Sequence, residues 1–144
     1  MKTLMKSVGF FLISILLLGC DIEEQEAYTD FFTLSGGTFP MEIDVLITPD
    51  TEAAAQYVRD NRLDSTITAC DFDGAAGLTF DFQDKPGLIW LSSIDDPAII
   101  NHELLHATIN IMNYSGVSLS DSSEEAYAYE LQYLTNQFYN KIKP

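Results

Sequence analysis

Residues 96–113 read DPAIINHELLHATINIMN, and this stretch predicts the helix on which the rest of the fold is arranged. Asp96 followed by Pro97 is typical of a helix start, because aspartate caps free backbone N–H groups and proline suits the first turn. Helical residues continue to about Asn113, and Gly116 ends the segment. We therefore expect a long, largely buried helix that carries polar residues on one side.

The two histidines of this helix have the spacing of a metal site. His102 and His106 are the only histidines in the chain. Being four residues apart, they lie on one helix face and can bind one ion at about 2.0–2.1 Å. Glu103 lies about 100° further around the helix, where a general base can take a proton from a water molecule activated by the metal. The alternative is a pair of hydrogen-bonded core histidines, and Glu103 between them argues against it.

The residues before this helix predict a small sheet with one helix. Alternating polar and apolar side chains, or short apolar runs, are typical of strands. Strands are expected at residues 42–48, 77–82 and 88–91, with a further one near residues 65–70. Good helix formers at residues 51–62 predict a helix behind the first strand. The DFDG segment at residues 71–74 holds only part of a calcium-loop pattern and is interpreted as a turn.

The residues after the histidine helix predict a loop at 115–120 and a second helix from about residue 122 to about Lys141. The order of elements indicates an α+β fold, in which a small sheet with one N-terminal helix packs against two C-terminal helices. The chain has 144 residues, 22 acidic and 7 basic, with a formal charge of −15. Because this charge repels phosphate backbones, nucleic acid is excluded as a partner.

The HELLH segment is the H-E-x-x-H signature of zinc metallopeptidases. Such a zinc ion usually takes a third protein ligand and leaves the fourth position to water. With no third histidine and no suitable cysteine, the ligand is expected to be a carboxylate, as in the gluzincins. Residues 88–134 resemble the minimal gluzincin core, and small predicted metallopeptidases of phages and bacteria show a similar run. The resemblance implies a zinc-dependent peptidase that acts on a peptide or protein substrate.

The third ligand is expected at the start of the second helix. Glu125 resembles the glutamate ligand of small gluzincin-like peptidases, whose second helix begins E-A-x-x-[FY]. Glu124 is the alternative, although its spacing from Asp121 fits a helix capping box that would already explain it. A cap at Ser122 would transfer that capping role to Glu125. The expected site is therefore Zn²⁺ on His102, His106 and Glu125, with Glu103 as the catalytic base.

The resemblance also implies a cleft and a donor for the transition-state oxyanion. Tyr129 is the first candidate donor, followed by Tyr127 and Tyr114, although each also fits a packed aromatic. An edge strand is expected along the cleft to pair with the substrate, and residues 88–92 are assigned that role. Trp90 is expected to pack beneath the cleft, with lining of the cleft as the alternative. Since no separate C-terminal domain follows, the cleft is expected to be shallow or to be completed by a protein partner.

The N-terminal residues resemble an export signal. Residues 1–19 hold two lysines and then an apolar run too short for a membrane-spanning helix of about 20 residues. The LLGC segment at 17–20 resembles the bacterial lipobox, which implies that Cys20 is lipidated and anchors the mature protein on the exported side of a bacterial envelope membrane. An ordinary signal peptide or an uncleaved anchor is the alternative. Residues 20–35 are then expected to be an acidic tether and residues 36–144 the domain.

Two further expectations complete the prediction. Cys70 would be the sole thiol of the exported protein and is expected to be a small buried apolar residue. The predicted function is a zinc-dependent hydrolase, a metallopeptidase tethered by lipid to a membrane. The alternatives are a non-catalytic zinc-binding lipoprotein that acts as a binding or exclusion factor, and a protein without metal.

Overall fold

The computed structural model describes residues 30–62, 64–82 and 87–143. These residues form an α+β fold with a four-stranded mixed sheet and three α-helices, as predicted. The elements in chain order are β1 (Asp30–Ser35), β2 (Glu42–Ile47), α1 (Thr51–Arg62), a short 3-10 helix (Ala69–Phe72), β3 (Gly77–Phe80), β4 (Gly87–Leu91), α2 (Pro97–Tyr114) and α3 (Glu124–Lys141). The predicted positions of β2, α1, β3, β4, α2 and α3 are confirmed to within about two residues, the usual uncertainty of element ends.

The sheet has the strand order β1-β2-β4-β3. β1 pairs antiparallel with β2, β2 pairs parallel with β4, and β3 pairs antiparallel with β4. All five residues of β4 are buried, whereas those of β3 are half-buried. A strand covered on both faces is expected to be apolar throughout, as the GLIWL sequence of β4 is. β3 is therefore the edge strand on this side of the sheet.

Each face of the sheet has its own core. One face packs against α2 and α3, with Val45, Ile89, Leu104 and Phe138 among its buried residues. The other face packs against α1 and the 3-10 helix. Successive side chains of a strand point to opposite faces, so β2 and β4 supply both cores. The histidine helix thus lies on the opposite side of the sheet from α1.

Trp90 packs beneath the sheet on the α1 side, as predicted. Its side chain is 1% exposed, and its ring meets that of Phe72 edge to face at 5.0 Å between centroids. The indole Nε1 donates to the carbonyl oxygen of Thr48 at 3.0 Å. A buried indole usually finds such a partner. Because the Trp90 side chain lies on the α1 side of the sheet, it does not line a cleft on the other face.

The two C-terminal helices begin in different ways. The Asp96 side chain accepts a hydrogen bond from the Ala98 N–H at 2.8 Å, which confirms the predicted cap of α2. At the start of α3 the N-cap position is Ser123, and its hydroxyl donates to the carbonyl oxygen of Ser118 at 2.6 Å. The predicted capping box of Asp121 and Glu124 is wrong, because hydrogen bonds among the loop serines fix the entry to this helix.

Residues 30–35, predicted as the end of the tether, belong to the folded domain. They form β1, in which Leu34 is fully buried and Phe32 packs against the core. Adjacent Phe31 and Phe32 interrupt the polar–apolar alternation, so the sequence of this strand gives only a weak strand signal. Pairing with β2 stabilises the strand in the folded chain. The predicted signal at residues 1–19, the lipidation site Cys20 and the rest of the tether lie outside the described residues.

One predicted strand and one predicted edge position are also wrong. Residues 65–70 form no strand, because the Thr68 N–H and hydroxyl both donate to the Asp71 carboxylate and turn the chain into the 3-10 helix. Residues 88–92 do not form the edge, because β4 lies between β2 and β3. The edge strand that lies beside α2 is β3.

Three smaller outcomes complete the fold. The DFDG segment ends in a turn, with Gly74 at a φ of 77°, as predicted. Cys70 is exposed, so its predicted burial is wrong; the 3-10 helix directs Phe72 and not Cys70 into the core. Among the described residues, no helix is both long and apolar enough to cross a membrane.

Candidate metal centre

The histidine pair lies on the exposed side of α2. The Nε2 atoms of His102 and His106 are 3.1 Å apart, and the rings meet edge to face. Two nitrogens bound at 2.0–2.1 Å to one tetrahedral ion are about 3.3 Å apart. The observed separation is close to this value, and it is also that of a hydrogen bond between the two rings. The helix thus presents two nitrogen donors at the spacing that a shared zinc ion needs.

Glu103 is held between α2 and β3. Its side chain is 5% exposed, and the Thr79 hydroxyl lies 2.7 Å from the Glu103 Oε2 and 3.1 Å from its carbonyl oxygen, within donating distance of both. Gly77 allows this close approach, because an added Cβ would lie 2.8 Å from the Glu103 Cγ. The edge strand therefore fixes the position of the carboxylate that the sequence assigns as the catalytic base.

The histidines and Glu103 line one open cleft of about 400 Å³ along the edge strand. Its other lining residues are Gly77, Leu78, Thr79, Asp81 and Asn110. Asp81 and Thr79 were missed by the sequence analysis. Alternate residues of a strand share a face, so residues 77, 79 and 81 were detectable as a set once β3 was placed beside α2.

The predicted carboxylate ligands on α3 do not line this cleft. Glu124 and Glu125 are both exposed in the first turn of α3. The residues that α3 buries include Tyr127 and Leu134, and Glu125 lies about 200° around the helix from Tyr127. Among the described residues, no group of three histidine, cysteine or acidic side chains is assembled for a metal ion. The structure brings together His102, Glu103 and His106, while a zinc bond to Glu125 stays a prediction.

The tyrosines predicted as oxyanion donors also lie away from the cleft. Tyr129 is 67% exposed and lines a second cavity with Tyr133. Tyr127 is buried, and its hydroxyl donates to the carbonyl oxygen of Val117 at 2.8 Å, which is a structural role. Tyr114 is exposed at the end of α2. None of the three lines the cleft, so the donor role of Tyr129 gains no support from its position.

Comparisons of the chain with protein-family models, with curated proteins and with solved structures found no match.

Proposed function

We propose that this protein is a zinc-dependent hydrolase and that its substrate is a peptide. The observation that carries the proposal is the convergence of the His102 and His106 Nε2 atoms, 3.1 Å apart, in the same cleft as buried Glu103. A hydrogen-bonded histidine pair alone has no need of a carboxylate at this position. A zinc-dependent hydrolase needs both nitrogens and a base.

His102 and His106 are the residues that would hold the zinc ion. Glu125 is the third ligand proposed from the sequence, and Asp81 is a second candidate because it lines the cleft. When bound, zinc would polarise a substrate carbonyl and lower the pKa of a water molecule. Since the histidine nitrogens fit the ion and the third ligand is not assembled, the site supports zinc binding with one ligand still to be identified.

The chain's own residues would act on the proton and on the substrate backbone. Glu103 would accept the proton of the attacking water and pass it to the leaving amine. The Thr79 hydroxyl would hold the carboxylate in place through its 2.7 Å hydrogen bond. β3 is an edge strand, and its outer backbone groups can pair with an extended peptide beside the histidines. This strand supports a peptide over other hydrolysable substrates.

The test is the metal content and peptidase activity of wild type and of Glu103→Gln. Glutamine keeps the size and hydrogen bonding of glutamate but accepts no proton, so zinc content should stay near wild type. Cleavage of a screened peptide library should fall by about 10²–10⁴-fold, the usual contribution of general acid–base catalysis. Glu42→Gln is a matched control, since Glu42 is exposed at the start of β2 and does not line the histidine cleft.

Each outcome separates this proposal from its alternatives. Equal cleavage by Glu103→Gln and wild type would show that Glu103 is not the base. Zinc binding without cleavage of any library member would favour the non-catalytic zinc protein, for which the incomplete ligand set is the supporting observation. A wild type that binds no zinc would refute both.

A further inference from the structure

A second cavity lies between the β1–β2 turn and α3. It is open to solvent and measures about 670 Å³. Its lining residues include Phe39 from the turn and Tyr129, Glu130, Tyr133 and Asn136 from α3. None of its lining residues lines the histidine cleft. Sites for small molecules commonly measure about 300–1,000 Å³ and combine apolar walls with a few polar groups. This cavity has that size and composition.

Glu130 is the unusual residue of this cavity. Its side chain is 6% exposed, and its Oε1 atom is buried without a hydrogen-bond partner among the described residues. A buried carboxylate without a partner is costly, and most buried polar groups are paired. Burial accordingly raises the pKa of Glu130 to about 7. The Glu130 side chain thus lines the cavity while one of its carboxyl oxygens has no donor among the described residues.

The walls of the cavity favour a cation over a neutral partner. Phe39, Tyr129 and Tyr133 are aromatic, and aromatic rings attract cations through their negative faces. Glu130 is the only acidic residue, and no lysine or arginine is present, among the described residues that line the cavity. When Glu130 is ionised, a neutral donor would satisfy one carboxylate oxygen but leave the negative charge unpaired. The chain's net charge of −15 also disfavours an anion.

A glycine in the β1–β2 turn allows the turn to pack closely against α3. Gly37 has a φ of 62°, a conformation that side chains other than glycine rarely adopt. A Cβ added at Gly37 would lie 3.0 Å from the Cε1 of Tyr133. The glycine therefore lets the turn approach the tyrosine ring and form one wall of the cavity.

We infer that this cavity binds a primary ammonium group on a small apolar body, with Glu130 as its counter-ion and the surrounding aromatic side chains as its walls. The ammonium group can come from a free amine or from a lysine side chain. The inference does not depend on the zinc site, because the two cavities share no lining residue.

The test uses the full chain, ¹⁵N-labelled, titrated with n-butylammonium, with its neutral counterpart n-butanol, and with Nα-acetyl-lysine methylamide. Butylammonium should give saturable shifts of the Gly37, Thr38 and Asn136 amide signals, and n-butanol should bind at least about tenfold more weakly. Equal binding of acetyl-lysine methylamide and butylammonium would show that the cavity accepts lysine side chains as well as free amines, whereas binding of butylammonium alone would restrict its ligands to free amines. Equal binding of n-butanol, or no saturable binding of either amine, would overturn the inference.

Variants locate the binding site. Glu130→Gln keeps the shape of the side chain and removes its charge, so butylammonium affinity should fall at least about tenfold. Asp121→Asn removes one exposed acidic charge outside the cavity and should leave the affinity unchanged. If Glu130→Gln does not fold, Tyr129→Leu removes an aromatic wall at an exposed position and should also weaken binding. Unchanged affinity in a folded Glu130→Gln variant, or in Tyr129→Leu when the former is unfolded, would overturn the inference.

Discussion

Glu103 is buried although the histidines on the same helix are exposed. Its position on α2 faces β3, while His102 and His106 face the solvent. The Thr79 hydroxyl contacts both the carboxylate and the backbone of Glu103. A carboxylate held in this way has a defined orientation, as the proposed role of proton acceptor requires.

The contact with Thr79 predicts a measurable loss when its hydroxyl is removed. Thr79→Val keeps the shape of the side chain but leaves a buried carboxylate oxygen without its donor. The free energy of unfolding should fall by about 1–3 kcal/mol, and peptide cleavage should fall while zinc content stays near wild type. Urea denaturation and metal analysis measure these changes. Thr79→Ser, which retains the hydroxyl, should restore cleavage; failure of this rescue together with full activity of Thr79→Val would rule out a positioning role.

At the level of elements, the site depends on how α2 meets its two neighbours. The edge strand β3 brings Thr79 and Asp81 to the histidines, whereas the first turn of α3 leaves Glu125 exposed. A zinc bond to Glu125 would require this turn to change its orientation. Asp81, just beyond the end of β3, already lines the cleft that holds the two histidines.

Metal binding by single variants distinguishes these two elements. His102→Ala and His106→Ala should each lose near-stoichiometric zinc, because the remaining ligands hold the ion poorly. If α3 supplies the third ligand, Glu125→Ala should weaken zinc affinity and Asp81→Ala should not. Zinc titration by calorimetry measures each case, with Glu124→Ala as the neighbouring control. Weakened binding in Asp81→Ala alone would place the third ligand on the edge strand, and stoichiometric zinc in His102→Ala would place the site elsewhere.

At the scale of the whole molecule, Glu130 makes stability depend on pH. Its pKa is raised by burial from the usual 4.5 to about 7 in the folded state. The folded chain therefore binds this proton more tightly than the unfolded chain does. The resulting contribution of Glu130 to the free energy of unfolding is fully present below about pH 4.5 and is lost as pH rises through 7.

The corresponding experiment compares urea unfolding at pH 5 and pH 8. Wild type should lose more stability between these two values than Glu130→Gln, which has no proton to release. The difference should be about 1–3 kcal/mol, given about 1.4 kcal/mol for each pKa unit. Because the other carboxylates are the same in both proteins, their contribution to the pH dependence cancels in the comparison with Glu130→Gln. Identical pH dependence of the two proteins would contradict the burial of an unpaired carboxyl group.

The proposed membrane anchor concerns the chain as a whole. If LLGC at residues 17–20 is a lipobox, Cys20→Ser should abolish incorporation of a labelled fatty acid and leave the precursor uncleaved. Expression in a bacterial host with fatty-acid labelling measures both effects. Cys70→Ser is the matched control, since Cys70 is the other cysteine of the chain. Undiminished labelling of Cys20→Ser would exclude this cysteine as the lipidation site.

The sequence by itself determined the elements whose signals are local. The caps and composition of residues 51–62 and 96–113 predict α1 and α2, because helix formation depends on neighbours within a few residues. The HELLH spacing likewise determines that His102 and His106 share one face, since helix geometry alone sets the angle between them. These predictions needed no knowledge of what the helix packs against.

Only the tertiary structure decided which strand forms the sheet edge beside α2 and which side chains contact this histidine helix. The sequence did not predict β1, because β1 has no regular polar–apolar alternation and is stabilised by its pairing with β2. Thr79 and Asp81 reach the cleft because β3, and not β4, lies at the edge beside α2. The exposure of Glu125 and the burial of Glu130 follow from the rotation of α3 about its axis. That rotation is set by packing against residues distant in the chain, which periodicity within one helix does not encode.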